Sequence, residues 1–281
     1  KDLQLLEGGT PTFVLNGRPV NVKELSTVPS SEIKKIVVDS NPNAEYSASC
    51  KGVVYITTNN ALENTLSTEI SNASLFARNY MDIADFTLNE KYKRLSNLLS
   101  VGFSYLHTTQ IDNTTESVFL PTNDIYSTKE RHTQGRGRTL DLFYAMNWDL
   151  SDKQSWGLQY SGNIGNAHTT EPTLQKMNAI SMDYTQNKRG VSSIHNIGVN
   201  YKYAFSKASS LRFIADYANY KSDGNGFANA TPEVTTSSYG RYDVAGARLT
   251  YSTNAKWGNF STGVFTSAMT NNGGYSYNSE E

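Results

Sequence analysis

The chain has 281 residues, 25 Lys+Arg against 26 Asp+Glu, a formal net charge of −1, 18% charged residues and 18 Tyr. Near-neutral charge removes the basic footprint by which a nucleic-acid binder releases phosphate counterions, so nucleic acid is excluded as a partner. A single Cys, Cys50, excludes an internal disulfide and a thiol-built zinc site. The absence of an apolar run of about 18 residues excludes a membrane-spanning helix but leaves spanning strands open.

The chain opens at Lys1-Asp2-Leu3 with no initiator Met or signal peptide, which predicts a processed product or a piece of a longer protein. Residues 1–59 read as a small α/β unit. Thr12 to Leu15 and Arg18 to Val20 flank the pair Asn16-Gly17, the strongest short hairpin signal because both central residues need φ > 0. A polar-apolar segment, Val22 to Thr27, and Pro29 follow. Ser30-Ser31-Glu32 predicts the start of a helical turn, with Glu32 near its positive end. Ile33 to Val38 and Val53 to Thr57 are strand candidates separated by an Asn41-Pro42-Asn43 loop.

Residues 60–281 alternate instead. Ile197, Val199, Tyr201, Tyr203 and Phe205 share one face, and Asn196, Gly198, Asn200, Lys202 and Ala204 the other. The period of two predicts strands at 67–79, 81–91, 97–111, 138–150, 154–168, 190–205, 210–222, 239–254 and 258–271. Several are longer than the 9–11 residues or so that cross a bilayer at a tilt, and are expected to project beyond it. Short turns are predicted at Tyr92 to Asn97, Ser151 to Gln154, Ser206 to Ser210 and Ala255 to Asn259. Long Asn/Thr/Ser-rich loops are predicted at Asp112 to Arg138, Thr169 to Arg189 and Ser222 to Ser238. Short turns alternating with long loops match the two rims of an outer-membrane barrel. Tyr92, Trp148, Trp156, Phe205, Phe213, Tyr251, Trp257 and Phe260 cluster near the short turns, as an interface girdle requires. A soluble β-sandwich is the alternative, but its solvent face should carry many Lys, Glu and Thr, whereas this one carries Gly, Ser and Asn.

Enzyme chemistry finds no foothold. There is no HExxH, GxSxG or phosphate-binding loop, and His107, His132, His168 and His195 are scattered, three on strands and His132 in a loop. The expectation is therefore no catalytic residue, cofactor or metal site. Gly135-Arg136-Gly137-Arg138, with Lys129 and Arg131, is the densest basic cluster and falls in a predicted long loop. It suits a solvated loop, or a grip on an anionic ligand or lipopolysaccharide phosphate. Asp216, Asp223 and Asn225 offer oxygen ligands without the EF-hand spacing, as a flexible loop tip also would. Tyr217, Tyr220, Tyr239 and Tyr242 suit either ring stacking on a ligand or packing at the rim.

The first region resembles the C-terminal half of the plug domain of TonB-dependent outer-membrane receptors, in the version common in Bacteroidetes. The resemblance is carried by Phe13-Val14-Leu15-Asn16-Gly17-Arg18-Pro19, by Val28 to Val38 with Glu32, by Asn41-Pro42-Asn43-Ala44-Glu45-Tyr46, and by Gly52 to Thr58. It departs from the family at Ser49-Cys50-Lys51-Gly52, where a glycine-rich stretch is usual; the barrel region is similar only in pattern. The resemblance implies residues 1–59 as the C-terminal part of a plug and residues 60–281 as about nine strands of a 22-stranded barrel, roughly half a receptor. It implies a Gram-negative outer-membrane location and uptake of a scarce nutrient energised through TonB. The implied partners are TonB itself, through a segment outside these residues, outer-membrane lipid, a small ligand of unknown identity and a surface lipoprotein. A non-transporting surface β-protein, adhesive or structural, is the competing function.

Overall fold

The structure is a computed structural model that describes residues 11–15, 18–20, 25, 30, 33–39, 52–58, 64–119, 125–256 and 258–279. Among them are thirteen strands in two sheets. The small sheet contains β1 (Thr12–Leu15), β2 (Arg18–Val20), β3 (Ile33–Asp39) and β4 (Val53–Thr58), in the order β2-β1-β4-β3. Leu15 pairs with Arg18, so the β1–β2 hairpin closes across two intervening positions, as the Asn-Gly signal requires. β4 runs parallel to β1 and antiparallel to β3. Phe13, Val20, Val54 and Ile56 form a buried cluster against which Leu15, Leu25 and Ile33 pack. The predicted Val22 to Thr27 segment, apart from Leu25, lies outside the described residues, as do Ser31, Glu32 and the Asn41-Pro42-Asn43 loop.

The large sheet is an antiparallel meander of nine strands in sequence order, as a partial barrel contains. These are β5 (Thr65–Phe76), β6 (Tyr80–Tyr92), β7 (Leu95–Val118), β8 (Ile125–Ser151), β9 (Gln154–Met177), β10 (Ile180–Ala204), β11 (Ser209–Ala228), β12 (Val234–Ala255) and β13 (Gly258–Ser279). All nine predicted strands are present, and the four short turns fall where the polar breaks lie. The β6–β7 turn is only Lys93-Arg94. Lys93 sits in the left-handed region at φ 53, and its N–H is held 2.9 Å from Asn64 Oδ1. Trp257, in the last short turn, lies outside the described residues.

The three long loops are a different matter. β7 continues to Val118 and β8 begins at Ile125, while β9 and β10 are joined by Asn178-Ala179 alone and β11 reaches Ala228. Most of the predicted loop residues are therefore strand, in hairpins whose arms run to 24, 27, 24 and 25 residues in β7, β8, β9 and β10. The reason is compositional: Thr-rich segments lack an apolar face but pair well, and continuous ladders satisfy the backbone without one. His132 and the basic cluster from Lys129 to Arg138 accordingly lie in β8, not in a loop.

The registers are continuous apart from a shift between Asp149 and Ser151 beside a short turn, so the two faces stay distinct along the sheet. Leu98, Ser100, Phe143, Ala145, Glu171, Thr173, Ala228 and Thr250 are the buried side chains larger than glycine described in this sheet, and all lie on the small, polar face. The other face carries exposed Leu, Ile, Phe, Tyr and Trp. No described helix is long and apolar enough to cross a membrane.

Gly263 shows how close the strands approach. A Cβ there would collide with the carbonyl oxygen of Leu249 and come within 3.2 Å of Thr250 Cα, both backbone atoms that cannot swing aside. Gly198 has nothing within 4 Å. Gly263→Val is expected to destabilise the sheet by about 1–3 kcal/mol in urea unfolding, and Gly198→Ala to leave it within about 0.5 kcal/mol.

Candidate functional site

Two rows of residues define the outer face of the sheet. Near the short turns, Leu95, Trp148, Trp156, Tyr201, Phe213 and Leu249 stand side by side across six strands in one register row. Trp156 and Tyr201 rings are 4.9 Å apart, Tyr203 and Phe205 rings 4.9 Å, and Phe205 and Tyr251 rings 6.2 Å. The other limit is the row Phe103, Leu140 and Ile164. Between the two, β8 presents Trp148, Met146, Tyr144, Leu142 and Leu140 on alternate positions. About nine residues at about 3.3 Å rise and a tilt of roughly 40° give a band about 20 Å tall, close to the height of a barrel's apolar belt. On β11 and β12 the band is shorter: Asp243 Oδ1 accepts from the Tyr217 hydroxyl at 2.5 Å and from Asn219 Nδ2 at 2.7 Å, closing it off there with a polar cluster.

The inner face is the candidate functional surface. Its rows are Ser100, Phe143, Ser161, Asn196, Ala218 and Val244, then Gly102, Asp141, Asn163, Ile194, Tyr220 and Tyr242. Small side chains alternate here with larger ones, Leu98 and Phe143 packing with Ala145 in a buried apolar cluster, and the polar groups between them face one another. Asn163 Nδ2 donates to Asp141 Oδ1 at 2.7 Å, Asn196 Nδ2 to Ser161 Oγ at 3.1 Å, and Thr87 Oγ1 to Ser100 Oγ at 3.3 Å. Asp85 stands across Gly102 from Asp141, close enough that a Cβ at Gly102 would meet Asp85 Oδ1 at 2.6 Å. The sheet thus offers a wall of carboxylate, amide and hydroxyl groups with an aromatic pair, Tyr220 and Tyr242, 5.8 Å apart.

Beyond the band, away from the short turns, the same face carries two ion pairs. Arg131 Nη2 donates to Asp112 Oδ2 at 3.1 Å, and Lys188 Nζ to Glu171 Oε2 at 3.0 Å. Glu171 is almost buried, at 12% side-chain exposure, while Lys188 reaches it from a half-exposed position. A shallow groove of about 270 Å³ lies at the far end, mainly on the outer face, lined by Asn113, Thr115, Thr128, Glu130, Leu174 and Lys176.

The candidate residues read from the sequence separate on this geometry. The four Tyr divide by face: Tyr220 and Tyr242 pair on the inner wall, whereas Tyr217 and Tyr239 lie on the outer one. Asp216 and Asp223 also fall on opposite faces of β11, which rules out a shared ion. Among the described residues no three His, Cys, Asp or Glu side chains converge. All four His are on strands, and two have polar side-chain partners: His195 Nδ1 lies 2.8 Å from the Tyr160 hydroxyl and His132 Nε2 2.9 Å from Glu130 Oε1. Of the residues that carry the plug resemblance, Gly52 is buried and its carbonyl accepts the Thr12 N–H at 3.0 Å, fixing the start of β4 beside β1. Arg18 and Pro19 form part of β2. Asn16, Gly17, Glu32, Asn41 and Pro42 lie outside the described residues.

Alternation along one strand reveals neither the inner-wall ladder nor the ion pairs. Their polar residues are visible as the non-apolar half of the pattern, but the partners are 13 to 35 positions apart and meet only through strand register.

No protein-family model matches the chain, and no curated protein matches it. Among solved structures, the chain is similar to BauA, the ferric preacinetobactin receptor from Acinetobacter baumannii, at 11% identity and a TM-score of 0.27. The match covers 95% of this chain and 53% of the receptor, so the chain spans about half the length of that protein.

The two ion pairs differ in exposure and hence in strength. Lys188→Met strands a nearly buried carboxylate and is expected to cost about 1–3 kcal/mol. Arg131→Met, whose pair is more open to solvent, is expected to cost less than about 1 kcal/mol. Amide hydrogen exchange reads the first in the β9–β10 hairpin and the second in the β7–β8 hairpin; equal loss of protection in the two variants contradicts the ranking.

Proposed function

We propose that this chain is part of an outer-membrane receptor that takes up a scarce nutrient, with the small sheet acting as part of a plug inside the barrel. One observation carries the reading: the large sheet holds an exposed apolar and aromatic band on one face and a small, polar, hydrogen-bonded wall on the other, in continuous register. A water-exposed sandwich would have to cover that band, since contiguous apolar surface of this extent is unfavourable in water. Lipid can cover it, and the wall then lines a lumen.

The open edges fit the same picture. β5 and β13 end the strand order, and β5 is exposed along its whole length. In lipid such an edge leaves backbone groups unsatisfied, so in this reading further strands pair with β5 and β13 to close a ring. A ring much larger than eight strands leaves a lumen wide enough for a plug. Residues 1–59 are then the C-terminal part of that plug and residues 60–281 the first portion of the barrel. Polar contacts between plug and wall seal the pore, and TonB supplies the work that breaks them; the protein itself makes no covalent bond. The strand arms beyond the band form the outer vestibule, where a small ligand or a surface lipoprotein would be met. The resemblance to the Bacteroidetes version supports such a source, and the banded sheet supports a Gram-negative outer membrane as the compartment.

Two measurements test this. Ile197→Arg, at mid-band on the outer face, is expected to destabilise the vesicle-inserted protein by about 2–4 kcal/mol, and Asn196→Lys, one residue away on the wall, by much less. Equal costs contradict a lipid-facing band. A photo-crosslinker placed at Asn196 in the membrane-inserted protein is expected to capture peptides from residues 12–58, whereas one at Val199 captures only lipid. Lipid alone at both positions removes the plug and leaves a surface β-protein without transport.

A further inference from the structure

The strand alternation divides the basic cluster of β8 between the two faces. Lys129 and Arg131 lie on the inner face, where Asp112 neutralises Arg131. Arg136 and Arg138 lie on the outer face, continuing the series that ends with Leu140. There the sheet places Arg136 in one register row with three other nitrogen-bearing side chains. His107 opposes Arg136, Arg136 opposes His168, and His168 opposes Arg189, across four consecutive strands.

Among the described residues this row itself contains no carboxylate. None of the four side chains forms an ion pair or hydrogen bond with a described residue. The next row away from the band is Thr109, Gln134, Thr170 and Asn187, all neutral. In the row on the band side, Arg138 lies over the Tyr105 ring at 6.0 Å, and the carboxylates sit at its ends, Asp82 opposite Tyr105 and Asp223 opposite Val191. Farther out, Glu130 is engaged by His132. Side chains directly opposite one another in a sheet lie about 5 Å apart, so the four side chains stand close enough for one anionic group to meet several of their nitrogens.

The height of the row is as telling as its charge. Arg136 is about four residues beyond Leu140, about 13 Å along the strand and roughly 10 Å along the membrane normal at a barrel's tilt. That is the depth of the lipid headgroups next to the apolar band. Arg136 and Arg189 are both exposed and two strands apart, about 10 Å, with His168 between them. Two permanent cations and two imidazoles facing outward match a dianionic group held by several donors, and Arg is the side chain suited to phosphate.

We propose that the row His107, Arg136, His168 and Arg189 binds the phosphate-monoester headgroups of lipids in the leaflet around the long hairpins. The site rests on the membrane-spanning reading and adds a lipid class to it. It explains why two arginines without a carboxylate partner and two histidines face out immediately beyond an apolar belt, and why their carboxylate-paired neighbour Arg131 faces in.

The test uses the ring-closed protein, with the further strands that pair with β5 and β13, in phosphatidylcholine vesicles carrying a minor fraction of phosphatidic acid or, separately, phosphatidylglycerol. Lipid retained by the detergent-extracted protein is counted by mass spectrometry. Phosphatidic acid is expected to be enriched over both other lipids. Arg136→Gln or Arg189→Gln is expected to lower that enrichment about fivefold each, with Arg136→Lys retaining most of it and the inner-face Arg131→Gln leaving it unchanged. Equal retention of phosphatidylglycerol, or loss of phosphatidic acid on adding inorganic phosphate at equimolar level, overturns the proposal. Vesicle flotation of the same ring-closed protein separates the two ideas: floating without lipid preference overturns the site alone, and failure to float overturns the membrane reading beneath it.

Discussion

Everything in the large sheet depends on a backbone hydrogen-bond ladder that keeps its register across nine strands. Because side chains alternate with a period of two, an unbroken register assigns each residue permanently to one face. A single slipped residue in β9 would send Trp156 and Leu158 to the wall and Gly157 and Gln159 to the band. The breaks that do occur are at the margins: a shift between Asp149 and Ser151, beside a short turn, and one between Ile33 and Lys35 in the small sheet. The division of faces survives because the irregularities stay at strand ends.

The two faces are held by different physics. On the outer face the apolar side chains gain little from one another, and in the proposed function they are covered by a hydrocarbon phase outside the chain. On the inner face the stabilisation is internal, through the buried Leu98, Phe143 and Ala145 cluster, small neighbours such as Ser100, and short polar contacts such as Asn163 to Asp141. Beyond the band neither source is available, and the long hairpins rely on paired backbone, Thr side chains and the Lys188–Glu171 and Arg131–Asp112 pairs. In the proposed function, the gradation along the strand from apolar band to cation row to neutral tip follows the element out of a membrane through its headgroups.

Much of this architecture is legible in the residues themselves. Alternation locates all nine long strands, Asn16-Gly17 locates the first hairpin, and the polar breaks locate the short turns. Strand ends escape on one side of the sheet only. Segments such as Asp112 to Arg138 carry no apolar alternation and so read as loop, although backbone pairing does not need one. The same blindness puts the basic cluster and His132 in a loop and groups Asp216 with Asp223, which a period of two then assigns to opposite faces once both are known to lie in β11.

Spacing within one segment therefore settles the local questions of strand existence, turn position and which residue types share a face. The lateral arrangement comes only with folding. His107 stands beside Arg136, His168 and Arg189, and Glu171 beside Lys188, because the sheet aligns strands whose facing residues are far apart in the chain. No period within a strand encodes that offset; it comes from turn length and the ladder acting together, and both take effect only in the assembled sheet.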